Sequence, residues 1–420
     1  MLCKTRIVFS DEYSVTGIPN RAMADETRSP NYNGTPFSLG ISLAPSGFKE
    51  SLEADEVANC IEAGILRVFP SAQIHKAPLV DGGEGFSKVL VAATGGTLHE
   101  QTVTGSVGQP VKSHFGFLGG TDVKTAVLEM AAAAGLRLVP RNVRDPLVTT
   151  TYGVGELIKA ALDAGAERLL IGCGDSGTND AGGGMAQALG VRLLDAEGNE
   201  LGRGGGELAK LDRIDLSQRH PRLEQVQIDV ACNWHNILCG PHGVARVFGP
   251  QKGASPETVE KLAAVLDRFA DVIERDTGID VREMPGGGAS GGLGTGLSAL
   301  LGATLHSRYD IVMQYLEIDT LLAQVDLAIT SEGSIDRQTP RGKIPAEVAR
   351  RAKEYQVPVI AIAGTIGDGA NLNYEHGIDS FANILETPGT LEDAIANATE
   401  LLMDAAERVM RLILVGQKLK

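Results

Sequence analysis

The residues of this chain best equipped for chemistry lie in the run GCGDSGTNDAGGG at 172–184, where Ser176, Thr178, Asn179 and Asp180 follow an apolar segment and precede small residues. A buried strand, a glycine-rich turn and a helix build a cradle for phosphate or hydroxy-acid oxygens, because backbone N–H groups and short polar side chains converge there. Gly172, Gly174 and Gly177 also match the dinucleotide spacing G-x-G-x-x-G, and Asp195 follows the next apolar run near the distance of a ribose-binding acid. Electrostatics oppose that reading. A pyrophosphate docked at this turn would face Asp175 and Asp180 with no Lys or Arg in the loop. A metal-bound nucleotide or a hydroxyl substrate fits better, and the structural alternative is a tight turn with Thr178 or Asp180 capping the helix.

Further groups recur at other apparent strand ends. PLVDGGEGF offers Asp81 and Glu84 as oxygen ligands for Mg²⁺, although the same spacing makes a capping box. Lys49 in APSGFKESL precedes a helix start, where its charge conflicts with the helix dipole unless an anion sits there too. SEGSIDRQTPRGK gathers Glu332, Asp336, Arg337 and Lys343 in a long loop after a strand, a mixed-charge set suited to a Mg-phosphate. A second G-x-G-x-x-G spacing at 286–296 follows Met284-Pro285 rather than a clear strand, with a flexible hinge as the alternative reading, and FGPQKGA leaves Lys252 on a turn. Between Cys239 and His242, Gly240 and Pro241 supply no base or orienting acid, so a substrate loop is the better reading there. The phosphate loop G-x-x-x-x-G-K-[ST] is absent, so a nucleotide needs another scaffold.

The elements that must position these groups fall into two styles. Residues 1–37 are polar without apolar period and read as a mobile extension. LGISLAP, an amphipathic run with apolar residues at 57, 60, 61, 64, 65 and 68, then IHKAPLV and another helix give a β-α-β-α opening, which predicts parallel strands. From 97 to about 129, alternating segments with glycine turns suggest antiparallel hairpins. VDLAITSEG, the helix PAEVARRAKEY and the strand VPVIAIAG then restore the first style. The expectation is a discontinuous parallel α/β domain over 38–95 and 297–420, with a mixed α/β domain inserted at 96–296.

With 420 residues and 43% hydrophobic content, the chain needs no disulfide or metal staple for its core. A net charge of −15 argues against nucleic acid or an anionic membrane as partner. Five scattered cysteines without a C-x-x-C pair suit a reducing compartment, and the apolar runs fall well short of the roughly 20 residues of a membrane helix. A cytoplasmic protein acting on small molecules is expected.

Eight motifs in order, LAPSGFKESLEADEVA, PLVDGGEG, AVLEMAAAAGL, TTTYGVGELI, GCGDSGTNDAGGGMAQALG, NILCGPHGVARVFGPQKGA, PGGGASGGLGTGL and AITSEGSIDRQTPRGK, together resemble the type-1 glycerate kinases over about residues 38–386. The resemblance implies ATP- and Mg-dependent phosphorylation of glycerate, D-glycerate to 2-phosphoglycerate, in organic acid metabolism. It also implies a flavodoxin-like domain and a restriction-enzyme-like domain with the site in the cleft between them. On that footing, Asp180 accepts or orients the substrate hydroxyl proton, and Ser176, Thr178, Asn179 and Arg337 hold substrate or phosphate oxygens. Lys49 and Lys343 stabilise the transferring phosphoryl group, and Asp81, Glu84, Glu332 and Asp336 ligate Mg²⁺ directly or through water. Gly286, Gly288, Ser290, Gly291, Gly292 and Lys252 meet the nucleotide. Ser46 and Gly47 stand where the family commonly has Asp-Ser, Asp175 and Gly177 where it has Gly and Ala, and Asn233, Trp234 and His235 replace a more acidic run. The competing readings are an NAD-dependent oxidoreductase and a non-catalytic, kinase-derived binding protein; a homodimer is compatible with all three.

Overall fold

A computed structural model describes residues 39–48 and 51–419. The extension expected at 1–37 and Lys49 lie outside the described residues. In chain order the strands are β1 (Gly40–Leu43), β2 (Gln73–Lys76), β3 (Thr97–Thr104), β4 (Pro110–Phe117), β5 (Thr125–Glu129), β6 (Arg168–Cys173), β7 (Arg192–Leu194), β8 (Arg213–Asp215), β9 (Gln227–Cys232), β10 (Thr304–Ser307), β11 (Leu327–Ile335), β12 (Val359–Ile366) and β13 (Ser380–Asn383).

β2-β1-β11-β12-β13 form a parallel five-stranded sheet. Taken in chain order its strands run 2-1-3-4-5, the flavodoxin-like order, in which ligands bind beyond the carboxyl ends of the strands. Both faces are covered, which explains the unbroken apolar runs. Ile41, Leu43, Ile329 and Ile362 meet Ile61 of the helix Ala54–Leu66 and Leu402 of the helix Ala398–Gln417. On the other face, Ala328, Ala361 and Ala363 share a core with Val348 of the helix Ile344–Glu354 and Val312 of the helix Arg308–Tyr315.

The second sheet has the order β10-β9-β6-β5-β4-β3. β3, β4 and β5 pair antiparallel, as the alternating pattern predicts, whereas β5, β6, β9 and β10 run parallel. β7 and β8 make a separate ribbon. The long helix Pro256–Thr277 supplies Leu262, Leu266, Phe269 and Ile273 to a core beneath that ribbon. Its start follows the rules of a capped helix, with Ser255 Oγ accepting the Thr258 N–H and Pro256 in the first turn. Val127, Leu170 and Ala231 of this second sheet belong to the same apolar cluster as Ala328 and Ala361 of the first. The two sheets therefore share an apolar layer, and the turns that end β2, β6, β10 and β11 carry the chemistry.

Two local expectations are corrected. Asp81 and Glu84 do not form a capping box: the helix Phe86–Thr94 starts after Gly85, which takes a left-handed conformation. Its free N–H groups go instead to buried Glu129 at the end of β5, which accepts from Gly85 N at 2.9 Å, Ser87 N at 2.6 Å and Ser87 Oγ at 2.8 Å. Glu332 lies within β11 rather than in a loop, because β12 extends far enough to pair Glu332 with Ala363 and Ile335 with Ile366.

Candidate active site

The turn after β6 takes its shape from close backbone approach. A Cβ on Gly172 would lie 2.7 Å from the Gly82 carbonyl oxygen, and one on Gly174 would lie 2.6 Å from Gly83 Cα. These glycines admit the neighbouring 82–86 segment, so protein fills the side a pyrophosphate would occupy. Asp195 is equally local: it accepts from Glu197 N at 3.0 Å and Asn199 N at 2.8 Å in its own turn, and these bonds lower its pKa, with the Asn199 backbone bond contributing most. Both supports of the dinucleotide reading are thus structural.

Asp180 is an anchor in this geometry. Its Oδ2 accepts from Thr151 N at 2.8 Å, Thr151 Oγ1 at 3.0 Å, Gly184 N at 3.2 Å and Thr150 Oγ1 at 3.3 Å. Oδ1 accepts from Gly182 N at 3.3 Å. Burial raises its pKa, while the bonds from Thr151, Gly184 and Gly182 act against the rise. The carboxylate therefore joins 150–151 to the start of the helix Gly183–Ala188, whose N-cap is Gly182 and not Thr178 or Asp180.

Polar atoms without partners surround that anchor. Thr178 Oγ1 and both amide atoms of Asn179 are buried and make no hydrogen bond, and the buried Ser290 hydroxyl has only the Cys173 thiol beside it. Ser290, Gly291 and Gly292 occupy three successive left-handed conformations at φ 54°, 73° and 88°. The reason is contact with the turn after β6: a Cβ on Gly291 would lie 2.0 Å from the Thr178 carbonyl oxygen, and Gly291 O accepts the Ala181 N–H at 3.0 Å. Asp175 and Ala181 are also left-handed non-glycine residues. Buried unpaired polar atoms beside strained backbone are a functional signature, because each costs stability. Not every N–H of the glycine loop is available to a ligand: Gly286 N donates to Trp234 O and Gly288 N to Asn236 O, each at 3.0 Å.

Lys252 belongs with the turn after β6. Only 2% exposed, it donates from Nζ to Ser176 Oγ at 2.8 Å and to Thr178 O at 2.6 Å. Burial brings its pKa down to about 7, and the nearby Asp180 charge acts against that fall.

Asp81 pairs with a cation that the motifs do not reveal. Arg308, just past β10, pairs with Asp81 Oδ2 at 3.2 Å and donates to Tyr309 Oη at 2.7 Å. Tyr309 is pushed up to about 12 mainly by burial, with the charges of Asp81 and Glu332 adding to the rise and Arg308 opposing it. Asp81 after β2, Glu332 on β11 and Arg308 after β10 thus act on one hydroxyl. Lys343 lies 3.5 Å from Glu332 and 3.8 Å from Asp336. Glu84 pairs with Arg137, and its N–H donates to Asp175 Oδ2 at 3.0 Å. Arg337 turns to Asp368 at 3.4 Å, with both side chains largely exposed. Among the described residues no three His, Cys, Asp or Glu side chains form a group able to hold a metal by themselves. Cys239 is buried, which pushes its thiol up to about 12, and His242 is exposed, so the pair has no activated nucleophile.

Arg308, Tyr309 and Glu129 are the residues that sequence reasoning missed. Arg308 had one available signal, a basic residue directly after a β-strand end, but its partners are remote in sequence.

Comparison with known proteins bears on this geometry. The glycerate kinase family model matches residues 41–414. A protein named glycerate kinase from Bacillus subtilis (strain 168) is 50% identical over 381 residues, covering 91% of this chain and 98% of the relative. One named glycerate 2-kinase from Escherichia coli (strain K12) is 46% identical over 380 residues, covering 90% and 99%. The crystal structure of a putative glycerate kinase 2 from Salmonella typhimurium LT2 superposes with a TM-score of 0.81 at 46% identity, covering 91% of this chain and all of that one.

Proposed function

This chain belongs to the glycerate kinase family and is a phosphotransferase, and on that premise we propose that it transfers the γ-phosphoryl group of ATP to the 2-hydroxyl of D-glycerate. The observation that carries this reading is the meeting of acids and cations from both sheets: Asp81 pairs with Arg308, which donates to Tyr309, the charge of Glu332 acts on that same hydroxyl, and Lys343 lies beside Glu332. Phosphoryl transfer depends mainly on positioning and charge neutralisation, and such a cluster supplies both. The 2-hydroxyl preference follows the glycerate 2-kinase relative.

The residues fit the groups the reaction needs. Asp81, Glu84, Glu332 and Asp336 offer carboxylate oxygens to Mg²⁺, and a site of one or two carboxylates completed by substrate phosphates and water needs no three-acid cage. Bound Mg²⁺ neutralises phosphate charge and orients the transferring group. Arg308 anchors the substrate carboxylate through its planar fork, and Lys343 offsets charge on the phosphoryl group. Ser176, Thr178 and Asn179 receive substrate oxygens, with the unpaired atoms of Thr178 and Asn179 as the support for that role. Ser290 and the adjoining Gly286, Gly288, Gly291 and Gly292 line the nucleotide side. Asp180 holds the turn. Lys49 and Arg337 join as cations on the sequence argument alone. The five-stranded sheet with its helices and the six-stranded sheet form the two lobes, and the protein works in the cytoplasm.

ADP release from Mg-ATP with D-glycerate tests the reading. Trp234, whose carbonyl accepts the Gly286 N–H, is the single tryptophan and reports on the glycine loop. Its fluorescence is expected to change with Mg-ATP and not with NADH; no ADP release with glycerate would overturn the proposal.

A further inference from the structure

We propose, resting on the phosphoryl-transfer reading above, that Ser176 and Lys252 form a proton relay in which Ser176 Oγ takes the substrate hydroxyl proton as its own proton passes to Lys252 Nζ. Asp180 is poorly placed for this task, since its two oxygens are committed to the five donors that hold the turn. Lys252 is differently situated. It ends the short turn Pro250–Lys252, and its side chain runs inward to two neutral oxygens, Ser176 Oγ and Thr178 O.

Both contacts suit a neutral amine. In the neutral amine one N–H still serves the Thr178 carbonyl, while the Ser176 contact reverses direction and the nitrogen lone pair accepts the Ser176 O–H. An ammonium there has lost its water, which is why burial brings the group to about 7, where both protonation states are populated near neutral pH. A base with that property is well matched to proton transfer at the operating pH. Asp180 is the charged group whose field reaches Lys252, and it favours the ammonium. Arg144, whose backbone abuts Gly253, directs its guanidinium to the carbonyls of Leu136 and Val139, each at 3.3 Å. The arrangement is a hydroxyl paired with a buried lysine, the logic of serine–lysine dyads, used here to remove a proton and not to form a covalent intermediate.

The step balances. The substrate O–H bond breaks and its proton moves to Ser176 Oγ, while the Ser176 proton moves to Lys252 Nζ. The substrate oxygen forms its bond to the γ-phosphorus as the bond to the bridging oxygen breaks, and ADP departs with that electron pair. Lys252 returns the proton to water through Ser176 after product leaves.

The test is the pH profile of kcat/KM for D-glycerate at saturating Mg-ATP, in the wild type and in S176A, S176T and K252R, with folding checked by circular dichroism. The wild type should lose activity on the acid side with a midpoint near 7. S176A should fall by roughly 10²-fold and lose that limb, and S176T, which keeps a hydroxyl, should recover both. K252R, with a fixed charge, should lose activity and limb together. A ¹³Cε-lysine NMR titration, its signal assigned by disappearance in K252R, should give a midpoint near 7. A limb that persists in S176A and K252R, or a Lys252 midpoint at the ordinary value of about 10.4, overturns the relay while leaving the kinase reading intact. A folded wild type that makes no phosphorylated glycerate overturns both.

Discussion

Asp175 Oδ2 accepts the Glu84 N–H at 3.0 Å, tying the turn after β6 to the turn after β2 although the two residues are 91 positions apart. Asp175 makes this bond from a left-handed backbone at φ 51°. Asp175 is therefore a tether between two turns of the site. The Asp175 series separates bond from strain. D175N keeps an acceptor and tolerates the left-handed region, so its stability should stay near wild type. D175G loses the bond but relieves the backbone, and D175A loses the bond and keeps the strain, so D175A should be weakest by about 1–2 kcal/mol. Urea unfolding gives the order, and D175A matching D175N would contradict it.

Asp180→Asn places an amide where five donors converge on a carboxylate. Loss of these bonds should cost roughly 1–3 kcal/mol, read from the urea midpoint at constant slope. Wild-type stability in D180N would contradict the anchoring role.

Lys252 links stability to pH. Its folded pKa is lowered from 10.5 to about 7, so between those values the unfolded chain binds more protons than the folded one. Stability contributed by this group therefore rises with pH through that window, and the cost of burying the ammonium is fully present below about 7. K252M removes the titration. The Tm difference between wild type and K252M should shift in favour of wild type from pH 6.5 to pH 9.5, whereas parallel profiles would contradict the shift.

Much of this was legible in the chain. The run VPVIAIAG and the Pro345 helix declare a covered parallel sheet, and the glycine spacing at 172–177 declares a tight turn. Local pattern fails where the cause is remote. The glycines of that turn answer to Gly82 and Gly83, Glu129 caps a helix more than forty positions earlier, and the partner of Arg308 is 227 positions away. Asp81 and Glu84 carry capping-box spacing, yet Glu129 takes the helix N–H groups and leaves Asp81 to Arg308 and Glu84 to Arg137. Lys252 reads as a turn lysine because nothing in FGPQKGA shows which way its side chain runs.

Arg308 is the residue whose substitution should separate the two substrates. R308K keeps the charge and loses the fork, so KM for glycerate should rise by roughly 10-fold, with KM for ATP changed much less. A rise confined to ATP would move Arg308 to the nucleotide.

The most direct test of the account is the product itself. Incubation with Mg-ATP and D-glycerate, followed by ³¹P and ¹H NMR, is predicted to give 2-phosphoglycerate and an equal amount of ADP, with neither formed after chelation of Mg²⁺. Phosphate on the 3-hydroxyl, or no phosphorylated glycerate from folded protein, would contradict it.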